Sequence, residues 1–79
     1  MPRFTAMNTF AENLKRILEA RSWSKQHLAD LVGIERSYVS RLASGQHSPS
    51  LELAERIAKA CDMELYEILT PKIELEVFS

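Results

Sequence analysis

The sequence lacks the residues that would staple a small protein covalently or through a metal. Its single cysteine, Cys61, cannot form an internal disulfide, and no cysteine and histidine cluster is spaced for a structural metal. It also contains no run of about 18 apolar residues, so no transmembrane helix is predicted. The N-terminal stretch has no apolar core of the kind found in signal peptides. We therefore expect a cytoplasmic protein that binds no metal, no cofactor and no membrane.

The sequence also lacks the residue sets that enzymes use. We find no nucleophile paired with a base, no paired carboxylates and no phosphate-binding loop. The chain has 79 residues, of which 46% are hydrophobic and 27% are charged. That balance is typical of one small globular domain, which is too small to enclose a substrate well. We predict that the protein is not an enzyme and has no small-molecule substrate.

Charge is distributed unevenly along the chain, although the total is only −1. Residues 13–48 carry six basic and three acidic side chains, a net charge of +3. Residues 49–79 carry three basic and seven acidic side chains, a net charge of −4. Such an asymmetry favours an anionic partner for the first part, although ordinary scatter of charge remains the alternative.

Hydrophobic periodicity predicts an all-α fold of five short helices. Apolar residues recur at helical spacing after Thr9, where Thr9 and Glu12 fit a capping box. Ser24 and Ser50 are placed to cap the second and fourth helices, and Gly33 to end the second. The predicted helices cover about residues 9–22, 25–32, 36–43, 51–61 and 64–69.

The last residues have a different pattern. Pro71 blocks continuation of the fifth helix. Between Ile73 and Val77, apolar and acidic residues alternate with the period of a half-buried strand. We therefore predict a short strand-like tail over residues 71–79, with a frayed terminus as the alternative.

The second and third helices have the pattern of a helix-turn-helix. Ala29 is small where the helices must cross closely, and Gly33 lies at the turn. Ile34, Val39 and Leu42 are apolar where the third helix must rest on the core. This ordered set within about eighteen residues, between capped helices, is a specific signal.

The segment from Ser24 to Gly45 resembles the helix-turn-helix of Cro and lambda-repressor type proteins, and the resemblance continues through residues 49–60. The resemblance covers about residues 10–70. The segment Arg36–Ser40 is also similar to the recognition segment of restriction–modification controller proteins. The resemblance implies a five-helix lambda-repressor-like DNA-binding domain over residues 9–70, with the helix-turn-helix at about 24–44. Residues 1–8 would then be an N-terminal arm, with Met1 or Met7 as the start.

The resemblance also implies which side chains contact double-stranded DNA. The base-contacting candidates begin the third helix, and the phosphate-contacting candidates surround them. Glu35 stands where the family usually has Ser or Thr, and its carboxylate could accept a hydrogen bond from a cytosine amino group. The expected base contacts are Glu35, Arg36, Ser37 and Ser40. The expected phosphate contacts are Ser24, Lys25, Gln26, Tyr38, Arg41, Gln46, His47 and Ser48.

The apolar residues near the C-terminus exceed what one face of a short fifth helix needs. We therefore predict a two-fold homodimer, because a single recognition helix spans only a few base pairs. The expected interface consists of Leu65, Tyr66, Ile68 and Leu69 with Ile73, Leu75 and Val77.

Two functions remain open at this stage. The first is a sequence-specific transcriptional regulator that acts as a homodimer on a palindromic operator. The alternative is an antitoxin or adaptor module that mainly binds a protein partner, which the acidic residues 49–79 would suit. The operator sequence and the choice between repression and activation are not encoded in any motif.

Overall fold

The computed structural model describes residues 6–70, with side chains from residue 9 onward, and this part of the chain is entirely helical outside its turns. The strand-like tail predicted over residues 71–79 lies outside the described residues, as do residues 1–5. Within the described part, no helix is both long and apolar enough to cross a membrane. The five helices are α1 (Ala6–Arg21), α2 (Lys25–Val32), α3 (Arg36–Ser44), α4 (Leu51–Ala60) and α5 (Leu65–Ile68).

The predicted serine caps are present at α2 and α4. The Ser24 hydroxyl accepts a hydrogen bond from the His27 backbone N–H at 3.0 Å. The Ser50 hydroxyl accepts one from the Leu53 N–H at 3.1 Å. Each serine satisfies one of the backbone donors that the first turn of a helix leaves without a partner.

The predicted start of α1 at Thr9 is wrong. The helix begins at Ala6, so residues 6–8 of the predicted arm are helical and Thr9 lies inside the helix. Thr9 is buried, and the exposed Glu12 lies 3.6 Å from the Lys15 ammonium instead of capping the helix. The capping-box pattern was misleading because Thr and Glu three residues apart also suit a helix interior, where one faces the core and the other faces solvent.

Helix ends are formed by residues in the left-handed conformation. Gly33 and Gly45, both with φ of 82°, follow α2 and α3. The sequence predicted this role for Gly33. Ser22 (φ 56°) and Asp62 (φ 58°) take the same conformation after α1 and α4. These two positions carry a steric cost that a glycine would not, because their Cβ atoms approach the backbone.

All five helices contribute to one apolar core. Helix α3 packs against α1 and α2, α4 packs against α2 and α5, and α5 returns to α1. This arrangement surrounds α3 on its inner side and leaves its outer side free. The largest fully buried side chains are Phe10, Leu14, Leu28, Val39, Leu42, Ile57, Cys61 and Ile68.

Two polar side chains join helices that are distant in sequence. The buried Asn13 of α1 donates from its Nδ2 to the carbonyl oxygens of Ile68 and Thr70, each at 2.8 Å. Arg56 of α4 donates to the carbonyl oxygen of Val32, the last residue of α2. A cation at this end of α2 also complements the negative end of the helix dipole. The Arg56 contact ties the helix-turn-helix to α4, and the Asn13 contacts hold the end of α5 against α1.

Candidate nucleic-acid interface

The outer face of α3 is polar and accessible. Its inner residues Val39, Leu42 and Ala43 are buried. Arg36, Ser37, Arg41 and Ser44 are exposed, and Ser40 is half-buried. The helical period therefore separates an apolar side from a side that carries two arginines and three serines.

Glu35 occupies the position just before α3, as predicted. Its carbonyl oxygen accepts hydrogen bonds from the N–H groups of Tyr38 (3.0 Å) and Val39 (3.2 Å). The Glu35 side chain makes no cap hydrogen bond. Its exposed carboxylate is therefore not used to stabilise α3 and is available at the edge of the outer face.

The start of α2 lies beside α3. The Lys25 ammonium approaches the Ser40 hydroxyl oxygen to 3.4 Å, a contact between the first residue of α2 and the middle of α3. Gln26 is exposed, but its amide nitrogen donates to the Asp30 carboxylate at 2.8 Å. A phosphate contact from the Gln26 side chain would therefore compete with an existing hydrogen bond. Ser24 is exposed, and its hydroxyl oxygen is used as the cap of α2.

The loop after α3 presents side chains, whereas the backbone donors of Gln46 and His47 are engaged. The N–H groups of Gln46 and His47 donate to the Arg41 carbonyl oxygen at 3.0 and 3.3 Å. Gln46, His47 and Ser48 are all exposed. The His47 ring meets the half-buried Tyr38 ring edge to face, with centroids 5.6 Å apart. Tyr38 thus links α3 to this loop, and its ring supports the position of His47.

An open groove runs between α1, the start of α2 and α3. Lys15, Lys25 and Arg36 line it together with Trp23, Ser40 and Ser44. The groove collects three cations from three helices and one carboxylate, that of Glu19, so its net positive charge favours an anion. Lys15 was not among the predicted contacts, since no local pattern shows that α1 packs beside α3.

The residues predicted for dimerisation fall into four groups. Tyr66 is 70% exposed, while Leu65 and Leu69 are half-buried against the core. Ile68 is completely buried within the monomer. It belongs to the core rather than to a surface, because the short α5 uses it to pack on the rest of the domain. The remaining predicted residues, Ile73, Leu75 and Val77, lie outside the described residues.

The one cysteine is far from a reactive environment. Cys61 is fully buried, and burial raises the pKa of its thiol, with a smaller opposing effect from the positive charge of Arg21. Among the described residues, no group of three or more His, Cys, Asp and Glu side chains could hold a metal ion.

Comparisons with known proteins agree with this geometry. A family model described as helix-turn-helix matches residues 14–68. The chain is 40% identical over 60 residues to the HTH-type transcriptional regulator AnsR of Bacillus subtilis, covering 72% of this chain and 52% of that protein. It is 43% identical over 44 residues to an uncharacterized HTH-type transcriptional regulator of Methanothermobacter thermautotrophicus, covering 56% and 64% of the two chains. The chain therefore spans about half to two thirds of these relatives.

Solved structures show the same fold. A hypothetical transcription factor from Neisseria, NHTF, superimposes with a TM-score of 0.88 at 24% identity, over 100% of this chain and 97% of that one. The restriction–modification controller protein C.AhdI of Aeromonas hydrophila gives a TM-score of 0.75 at 32% identity, over 82% and 98% of the two chains. The predicted all-α fold and the resemblance noted from residues 24–45 are both confirmed. The chain belongs to the helix-turn-helix family, whose members are DNA-binding domains rather than enzymes.

Proposed function

We propose that the protein is a transcriptional regulator that binds double-stranded DNA in a sequence-specific manner, as a homodimer on a palindromic operator. The observation that carries this proposal is the outer face of α3, where Arg36, Ser37 and Arg41 are exposed beside the start of α2. A helix of this kind fits the major groove with its first residues at the base edges. Membership of the helix-turn-helix family supports the same docking.

Base recognition is assigned to the first turns of α3. Arg36 is its first residue, and a guanidinium there can donate two hydrogen bonds to guanine O6 and N7. Ser37 and Ser40 follow on the same face, and Glu35 adds an acceptor for a cytosine amino group. Phosphate contacts are assigned to Ser24, Lys25, Gln26, Tyr38, Arg41, Gln46, His47 and Ser48, which surround these residues.

Salt dependence tests DNA binding directly. Displacement of counterions by Lys25 and Arg41 makes affinity fall steeply with salt concentration. Gel-shift titrations over a salt series, with duplexes enriched from a randomised library, measure this slope. Arg41→Met should lower the slope by about one unit. Lys59→Met should not, because Lys59 lies on α4, which packs mainly against α2 and α5. Absence of duplex binding, or an affinity independent of salt, would refute the proposal.

Dimerisation follows from how little DNA one recognition helix can reach. Nine residues at 1.5 Å each give α3 a length of only about 14 Å. Two copies related by a two-fold axis would read half-sites about 34 Å apart. The exposed Tyr66, with Leu65 and Leu69 beside it, is the candidate contact, joined by Ile73, Leu75 and Val77 of the tail.

The dimer is tested by sedimentation of the full chain, of a Tyr66→Glu variant and of a chain ending at Thr70. Like charges facing each other across a two-fold axis should separate the Tyr66→Glu copies. A full-length monomer that binds one half-site as tightly as the palindrome would refute the dimer. A shortened chain that dimerises fully would confine the interface to α5.

A second function is supported by the charge of the C-terminal part. Residues 49–79 carry a net charge of −4, which suits a basic protein partner rather than DNA. If the protein is an antitoxin or adaptor that binds through these acidic residues, a variant with Arg36 and Arg41 replaced by alanine should still bind the protein partner. Loss of DNA binding in that double variant without loss of partner binding would separate the two functions.

A further inference from the structure

Among the described residues, one side-chain hydrogen bond joins the two helices of the helix-turn-helix, and it involves a lysine and a serine. The Lys25 ammonium lies 3.4 Å from the Ser40 hydroxyl oxygen, and both side chains are partly buried. Lys25 is the first residue of α2, and Ser40 lies in the middle of α3, on the face assigned to bases. The lysine stem therefore crosses from one helix to the other instead of extending into solvent.

The chemistry of the two groups fixes the direction of this hydrogen bond. An ammonium has three donors and no acceptor, so Lys25 must donate and the Ser40 oxygen must accept. The serine hydroxyl then has its own hydrogen left to donate. A serine oxygen has two acceptor lone pairs, and the lysine occupies one of them. The positive charge beside the oxygen opposes the approach of a second donor, so the hydroxyl is biased toward donating its own hydrogen.

Ser40 does not use that hydrogen within its own helix. Serines in helices often donate to a carbonyl one turn earlier. Ser44 does so, since its hydroxyl donates to the Arg41 carbonyl oxygen at 3.1 Å. No such bond from Ser40 occurs among the described residues. Its hydrogen is free to point out of the partly exposed face of α3.

We infer that Lys25 is a positioning residue that makes Ser40 a hydrogen-bond donor toward DNA and so determines base preference at one position of each half-site. This inference rests on the proposed function. A donor requires a base with an acceptor at its major-groove edge, and cytosine is the base that presents only a donor there. The nearby positive charge further disfavours an amino group. Ser40 therefore discriminates against cytosine.

This role is compatible with the phosphate contact assigned to Lys25. One of its three donors is used by Ser40, and two remain for a phosphate oxygen. Replacing the ammonium should therefore have two separable effects. Affinity should fall for every sequence, and base preference should change only at the position that Ser40 contacts.

The experiment is selection of bound duplexes from a library with a randomised centre, using the full chain. The variants are Lys25→Met, which keeps the stem without donors, Lys25→Arg, Ser40→Ala and the Lys25→Met/Ser40→Ala pair. Alanine and methionine favour helices, so these variants should fold. Lys15→Met is the matched control, because Lys15 lines the same groove on α1.

The wild type should disfavour cytosine by about fivefold at one base pair per half-site, the value of one neutral hydrogen bond. Ser40→Ala and Lys25→Met should each lose this discrimination, and the double variant should lose no more than either. Lys25→Arg should retain it, and Lys15→Met should retain it whatever its affinity.

Two results would overturn the inference while leaving DNA binding intact. One is a Lys25→Met variant that binds all duplexes more weakly by the same factor and still disfavours cytosine. The other is a Ser40→Ala variant with unchanged preference at every base pair. If the wild type enriches no duplex at all, the proposed function itself fails.

Discussion

The buried Asn13 offers a sharp test of how the fold holds its last helix. Its Nδ2 donates to two carbonyl oxygens, those of Ile68 and Thr70, each at 2.8 Å. Its Oδ1 accepts from Arg16 at 3.2 Å. Both carbonyl groups need a donor, so the amide orientation is set by its partners. Asn13→Ala removes every one of these hydrogen bonds.

The expected cost can be worked out from those contacts. Two hydrogen bonds contribute about 1 kcal/mol each, and leaving the Ile68 carbonyl buried without a partner costs about 1 kcal/mol more. Alanine recovers about 0.5 kcal/mol through its higher helix propensity. The net loss of about 2.5 kcal/mol is large beside the roughly 4–12 kcal/mol expected for a domain of this size. It corresponds to a fall in Tm of about 10–20 °C.

Urea unfolding followed by the fluorescence of Trp23 measures this loss. Trp23 is half-buried, with Arg21 5.2 Å from its ring centroid, so unfolding changes its surroundings. Asn13→Asp keeps the shape but offers no donor at neutral pH, and should be destabilised as well. Glu12→Ala, at an exposed site on the same helix, should change stability by less than about 0.5 kcal/mol. An Asn13→Ala variant within that margin of the wild type would refute the reasoning.

Three further predictions concern other parts of the molecule. Arg36→Ala should weaken operator binding by about 1–3 kcal/mol and relax preference at one base pair per half-site; an unchanged selected sequence would exclude Arg36 as a base reader. Asp62 has a φ of 58°, where a side chain carries a steric cost of about 1 kcal/mol that glycine avoids. Asp62→Gly should therefore raise Tm by a few degrees, and Asp62→Val should lower Tm. Burial raises the pKa of the Cys61 thiol, so as pH rises the unfolded chain loses this proton at a lower pH than the folded chain does. The free energy of unfolding should therefore fall as pH rises above about 8.5. Cys61→Ala should flatten this alkaline decline in thermal melts, and identical slopes would contradict it.

Local sequence determined much of the fold because caps and turns act over a few residues. Ser24, Ser50 and Gly33 mark their helix ends through contacts no more than four residues away, and each was predicted correctly. The same holds for the helical period that separates buried Val39 and Leu42 from exposed Arg36 and Arg41. A helix-turn-helix is continuous in sequence, so its candidate contacts could be proposed without a tertiary model.

The start of α1 depended on the rest of the molecule instead. Thr9 and Glu12 fit a cap pattern, yet Thr9 is buried inside a helix that begins three residues earlier. Whether a Thr caps a helix or faces the core depends on which elements pack against it. Asn13 is a similar case, because its two acceptors lie 55 and 57 residues further along the chain.

Packing of α1 and α2 beside α3 settled the groove and the Lys25 to Ser40 hydrogen bond, and packing of α5 against α1 and α4 settled the burial of Ile68. The sequence by itself determined which face of each helix is apolar, because that face follows from the period of one helix. Only the tertiary structure decided which polar side chains meet, since partners fifteen or more residues apart, such as Lys25 and Ser40, share no local pattern. It also decided that Ile68 is part of the core, because a four-residue helix has too little apolar surface of its own to show which side will be covered.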